Sequence, residues 1–154
     1  MPPSFAVEKT LGRLGKWLRL MGFDTIAETE FPTGVFSAHI DAGRVFLTRT
    51  QRALSAPAPF RMIFIQANDP FEQLAEVVGK VALQPADLRP FSRCLRCNNP
   101  IVAVPKDDIE RAVPDYVWQS HDSFSRCPKC LRIYWKGSHT TRSLERLQSI
   151  FKED

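Results

Sequence analysis

Apolar positions along this chain change their spacing in a readable order. Phe5-Ala6-Val7 is a short continuous apolar run behind Pro2 and Pro3, which predicts a strand that ends at Glu8. Leu11, Leu14, Trp17, Leu18 and Met21 then recur at helical spacing, and Gly22 is a stop signal. A stripe of this kind is what a helix buries against a core. Phe23 to Ala27 predicts a second short strand, and Arg44-Val45-Phe46-Leu47-Thr48 and Met62-Ile63-Phe64-Ile65 predict two buried ones. Ser55-Ala56-Pro57-Ala58-Pro59 between them reads as a loop. Asp69-Pro70 opens the next helix, with Asp as cap and Pro at the first helical position, and Leu74, Val77, Val78 and Val81 carry its apolar stripe. Strand, helix, strand, then more strand and helix predicts a small α/β domain with a mostly parallel sheet.

The proline-bearing stretch from Gln84-Pro85 to Pro90 marks a boundary, giving an α/β domain over residues 1–88 and a second unit over 89–154. The second unit holds two Cys-x-x-Cys pairs, Cys94-Leu95-Arg96-Cys97 and Cys127-Pro128-Lys129-Cys130, with no cysteine left over. Two such knuckles make a closed four-thiolate site for structural zinc. The competing readings are two disulfides, which need an oxidising compartment, or a redox pair, which usually occurs once. Four thiolate ligands leave no open position, so this metal is expected to be structural. Leu131 to Trp135 reads as a ribbon strand. Thr141 to Phe151 reads as an amphipathic terminal helix bearing Arg142 and Arg146, with Lys152 just beyond.

Composition narrows the class. The chain has 154 residues, 44% hydrophobic and 25% charged, which fits a folded protein and not a disordered one. No apolar run approaches a membrane span. No secretory signal is read at its start, so a reducing, cytoplasmic location is expected. The net charge of +4 leans only weakly towards an acidic partner. Its distribution says more: Arg13, Lys16 and Arg19 lie at i, i+3 and i+6 on the first helix, where they can meet phosphates or simply face solvent.

In an open parallel sheet, ligands bind beyond the carboxyl ends of the strands. Those ends carry Glu8, Thr48-Arg49-Thr50 and Asn68-Asp69. Carboxylates gathered there can hold Mg²⁺ or Mn²⁺ for phosphodiester hydrolysis. Each also has an ordinary role, Asp69 as a helix cap and Glu8 as a partner of Arg49 or a solvated group. His121-Asp122 and His139 form a further cluster, suited either to proton transfer or to bracing the ribbon. Tyr116, Trp118, Phe124, Tyr134 and Trp135 lie among Arg126, Lys129, Arg132 and Lys136, a mixture that suits single-stranded RNA or the ribbon's own core.

The run Phe5 to Arg19, then Gly22-Phe23-Asp24-Thr25, Arg44 to Arg49, Asn68-Asp69-Pro70, Ser92 to Asn98, His121-Asp122, Arg126 to Cys130 and Tyr134 to His139 together resemble the Mut-seven C-terminal ribonuclease domain family. The resemblance covers about Phe5 to Leu147. It implies a PIN-like fold with an appended zinc ribbon and a metal-dependent ribonuclease. Glu8 and Asp69 would be catalytic; Arg13, Lys16, Arg19 and Arg49 would meet RNA; and Cys94, Cys97, Cys127 and Cys130 would hold zinc. The family's usual Asp is Glu8 here, its Thr-Arg-Asp is Thr48-Arg49-Thr50, and its acidic cluster is replaced by Phe31-Pro32-Thr33-Gly34-Val35. The expected function is therefore RNA-directed, a ribonuclease with a depleted acidic site. The alternative is a non-catalytic module binding RNA, a ribonucleoprotein or a protein partner. No membrane and no small-molecule cofactor are expected.

Overall fold

The computed structural model describes residues 2–51 and 60–151; the loop reading for 55–59 and the position of Lys152 lie outside them. Four strands form one sheet: β1 (Ser4–Val7), β2 (Thr25–Ala27), β3 (Arg44–Thr48) and β4 (Arg61–Phe64). Their order is β2-β1-β3-β4 and every pairing is parallel. Phe5, Ala6 and Val7 are fully buried because β1 is central and covered on both faces, which is why its sequence shows a run and not an alternation. Ile65 lies just past β4, yet it is buried and its amide donates to Thr48 O at 2.8 Å.

Helix α1 (Gly12–Leu20) and helix α2 (Pro70–Val81) cover one face. Phe5, Val7, Leu14, Leu18, Val45, Leu47, Leu74 and Val77 form the main core between them and the sheet. A Cβ on Gly15 would lie 3.0 Å from Val7 Cγ2, so this glycine lets α1 settle closely on β1. The opposite face is covered by Phe36 and Ile40, with Phe31, Phe46 and Phe60 packed beside them.

The ribbon is a three-stranded antiparallel sheet of β5 (Val102–Val104), β6 (Phe124–Arg126) and β7 (Ile133–Tyr134), in order β5-β6-β7. A short helix α3 (Asp115–Ser120) sits in its long insert. Ile109, Val113, Val117 and Phe124 make a second core with Trp118 and Trp135. Helix α4 (Ser138–Ile150) begins three residues earlier than the apolar pattern implies. Its Leu147 is buried in the main core, with Ile150 and Phe151 packed there too. The terminal helix thus crosses the boundary drawn near residue 88 and packs on the α/β unit. The chain is an α/β fold with a parallel sheet followed by a four-cysteine ribbon. No helix among the described residues is long and apolar enough to cross a membrane.

Candidate metal centre and strand-end site

Each cysteine pair is held by the same backbone device. In the first knuckle Cys94 N donates to Asn99 O and Asn98 N to Cys94 O, both at 2.8 Å. In the second, Cys127 N donates to Arg132 O at 3.0 Å and Leu131 N to Cys127 O at 2.9 Å. The residue after each second cysteine turns left-handed, Asn98 at φ 67° and Leu131 at φ 66°. These reversals bring both thiols of a pair to one side.

The four Sγ atoms all lie within 4.8 Å of one another. Cys94 Sγ and Cys130 Sγ are 3.7 Å apart, and a tetrahedral zinc with Zn–S of about 2.3 Å places its sulfurs about 3.8 Å apart. The donor set therefore fits structural zinc. Burial opposes ionisation of Cys94, but hydrogen bonds from the Tyr134 hydroxyl, the Cys97 and Arg96 amides and Cys130 overcome it and bring the thiol down to about 7. Burial and the neighbouring sulfurs push Cys97 up to about 12. Without metal the site thus favours the thiolate at Cys94 over that at Cys97, and a bound dication would offset the repulsion between them.

The first knuckle is fixed to the α/β unit by polar contacts. Arg19 is only 4% exposed. It donates to both Glu30 oxygens at 2.6 and 2.9 Å, to Thr25 O, and to Leu95 O at 2.9 Å. Asn98 donates to Asp24 Oδ1 and accepts from Thr25 N. Arg89 N and Phe91 N donate to Met21 O and Leu20 O, which satisfies carbonyls left open where α1 ends. Gly22 has φ +98°, and a Cβ there would lie 2.3 Å from Arg89 O. Asp24, Arg44, Asn98 and Tyr134 carry much of this support; all four lie in the family-like runs, but nothing in the sequence assigned them this bracing role.

At the sheet ends, the Glu8 carboxylate accepts from Thr48 Oγ1 at 2.8 Å, Arg49 N at 2.6 Å and Thr10 Oγ1 at 2.9 Å. Its partner from residue 49 is the backbone amide and not the guanidinium. The guanidinium instead grips the segment after β4, donating to Gln66 O, Ala67 O and Asn68 Oδ1. Glu76 holds that segment from the other side, accepting from Gln66 N and Ala67 N. Asp69 follows it and caps α2, accepting from Phe71 N at 3.0 Å and Glu72 N at 3.1 Å. Among the described residues the cysteine set is the one group of three or more His, Cys, Asp or Glu side chains with ligand atoms gathered within 4.8 Å. Neither Glu8 nor Asp69 belongs to such a cluster among the described residues.

The four basic residues expected at RNA separate. Arg13 and Lys16 are exposed and line a groove with Asp69, Trp17, Phe71 and Arg146. Arg49 is committed to the 66–68 segment. Arg19 departs from the expectation, because it is buried as the brace of the first knuckle. The groove was only half visible in sequence, since Arg146 reaches it from α4, its guanidinium 4.2 Å from the Phe71 ring. His121, Asp122 and His139 line one cavity, but His121 and Asp122 take other partners. His121 Nδ1 is 3.0 Å from Val117 O, and Asp122 lies 3.7 Å from Lys106 Nζ.

A family model described as Mut7-C RNAse domain matches residues 3–147. No curated protein and no solved structure matches the chain.

Proposed function

The chain belongs to the Mut7-C RNAse domain family, and on that premise we propose that it acts on RNA at the carboxyl ends of its parallel strands, with Glu8 and Asp69 as a reduced acidic site. The observation carrying this reading is the groove that sets the Asp69 carboxylate among Arg13, Lys16 and Arg146 beside Trp17. Cations there neutralise phosphates, and the Arg146 guanidinium, set over the Phe71 and Trp17 rings, offers a plane on which a base can lie. On this reading residues 1–88 carry the acidic groups, and residues 89–154 position the strand, with α4 reaching back to supply Arg146. The free thiols of the cluster suit a reducing compartment such as the cytoplasm.

A Mg²⁺ or Mn²⁺ ion would supply an activated water and neutralise charge at the scissile phosphate. Glu8 and Asp69 are the carboxylates that would hold it, with substrate phosphate completing the shell, as is usual for Mg²⁺. Glu8 is oriented for that by Thr48 and Arg49 N, and Asp69 by the gripped 66–68 segment. Thr50 supplies no charge, so cleavage should be slow beside a site with a full acidic set.

The test is cleavage of end-labelled single-stranded RNA with Mn²⁺ or Mg²⁺ by the zinc-loaded protein, beside Glu8→Ala and Asp69→Ala. Cleavage that vanishes in both variants supports the reading. A second reading, binding without cleavage, is favoured by the three hydrogen bonds that already occupy the Glu8 carboxylate. It predicts a shifted but intact RNA.

A further inference from the structure

A cavity lies away from the strand ends, between the ribbon and the first turns of α4. It has a volume of about 570 Å³. Leu95, Ile101 and the Trp135 ring give it apolar walls, while His121, Lys136 and His139 bring polar groups to it. Trp135 is set against the ribbon core, 6.4 Å from the Phe124 ring and 6.5 Å from the His121 ring. His121 Nδ1 faces Val117 O, which can only accept. Ser120 Oγ, 3.1 Å from the same nitrogen, gives its own proton to Tyr116 O, so the tautomer that serves both neighbours carries hydrogen on Nδ1 and leaves Nε2 as an acceptor. Lys136 and His139 are exposed.

This cavity does not stand alone. It shares Leu20, Leu95 and Ser143 with the groove that holds Asp69 and Arg146. That groove shares Arg13, Lys16 and Leu95 with a third hollow running to Arg96 and Glu30. The result is one seam between α1, α4 and the first knuckle. Its exposed cations are Lys136, Arg146, Lys16, Arg13 and Arg96; Arg13 and Lys16 form no ion pair among the described residues.

We propose that the ribbon cavity seats one unpaired nucleotide of a single-stranded RNA whose neighbouring phosphates follow the seam over Arg146, Lys16 and Arg13. The base stacks on Trp135 between the apolar walls, and His121 Nε2 accepts a hydrogen bond from its edge. Lys136 and His139 meet the phosphate at the mouth. Only an unpaired base can enter, because a duplex keeps its faces stacked and its edges paired. The strand then passes Asp69 on its way along α1, so the cavity sets the register of RNA against the acidic site. This inference rests on the reading that the chain binds RNA, and adds a site distinct from Glu8 and Asp69.

The experiment photo-cross-links single-stranded RNA carrying 5-iodouridine to the full zinc-loaded chain, maps the peptides, and measures affinity for single strand and matching duplex. Cross-links within residues 133–140 are expected, with single strand bound more tightly than duplex. Trp135→Ala should weaken binding about 10-fold. Because Trp135 also packs in the ribbon, Lys136→Glu and His139→Ala serve as surface variants. Each should weaken binding several-fold, while Arg111→Glu, outside the seam, should change it less. RNA bound equally by all the variants, or cross-linked only near the strand ends, overturns this inference and leaves the RNA-directed function standing. Equal affinity for duplex overturns the unpaired nucleotide. No RNA binding at all overturns both.

Discussion

The carboxylate of Asp24 ties the sheet to the metal knuckle through Asn98, whose Nδ2 donates to Asp24 Oδ1 at 2.6 Å. Arg44 holds the same carboxylate from β3 at 2.9 and 3.2 Å. Burial works against ionisation of Asp24, but the bonds from Arg44 and Asn98 and the charges of Arg44 and Arg93 outweigh it and lower its pKa. A depressed folded pKa adds stability above the unfolded value near 3.9. That stability is lost as pH falls through the folded value. Asp24→Asn should cost about 1 kcal/mol at neutral pH, discounted because the group is partly exposed. The gap from wild type should close at acid pH. Urea titrations of both proteins at several pH values, with zinc content measured in each, check this.

Tyr134 supports the cysteine cluster. Its hydroxyl donates to Cys94 Sγ at 3.1 Å and accepts from Leu95 N at 3.0 Å. Removing it withdraws a bond that favours the Cys94 thiolate, so the thiol should rise from about 7. Tyr134→Phe should then weaken zinc about 10-fold, and most strongly on the acid side of neutrality. Competition against a chromophoric chelator reads the change. Unaltered affinity would mean the bond serves only the fold. Cys94→Ser should leave the protein without a one-to-one zinc and with the ribbon unfolded.

Arg13, Lys16 and Arg19 look alike in sequence and should behave differently. Arg19→Ala removes a buried guanidinium from Glu30 and from three carbonyl partners, leaving the acid uncompensated, and should cost about 3 kcal/mol. Arg19→Lys should not restore it, because the ammonium lacks the planar fork. Arg13→Ala and Lys16→Ala should leave stability unchanged. Each should reduce RNA affinity and flatten its dependence on salt by about one unit of log-log slope. Thermal melts beside salt-titrated binding would separate the two behaviours.

That contrast shows what the sequence could and could not display. The buried central strands and helices α1 and α2 were legible, because β1 and α1 each bury a continuous set of apolar residues with one clear period. The gathering of the four cysteines was legible from covalent spacing alone. Strands β5 and β6 were not, since Val102 and Ala103 are exposed and the pairing joins residues far apart in sequence. The role of Arg19 was hidden for the same reason: its partners Leu95 and Arg96 lie in the other unit. The Phe71–Arg146 contact likewise exists only once α4 folds back on the core.

Gly22 should tolerate no side chain. Its φ of +98° is unfavourable for any residue with a Cβ, and that atom would meet Arg89 O at 2.3 Å. Gly22→Ala should destabilise by about 2 kcal/mol or more. It should also loosen the first knuckle, since Arg89 N bonds Met21 O next to it. Faster hydrogen exchange across residues 89–98 would report that loosening. A variant as stable as wild type, with unchanged exchange, would contradict it.

Asp69 has two duties, and one pair of substitutions divides them. Its Oδ2 caps α2, a role that Asn fills nearly as well as Asp. Asp69→Asn should therefore keep the stability of the wild type, while Asp69→Ala should lose about 1 kcal/mol. A metal-dependent cleavage centred here needs the charge, which Asn lacks, so both variants should lose cleavage alike. If Asp69→Asn cleaves as fast as wild type, the carboxylate is only a cap and the acidic site reduces to Glu8. Single-turnover cleavage assays in Mn²⁺, run beside denaturation curves of the same three proteins, give the answer in one set of measurements.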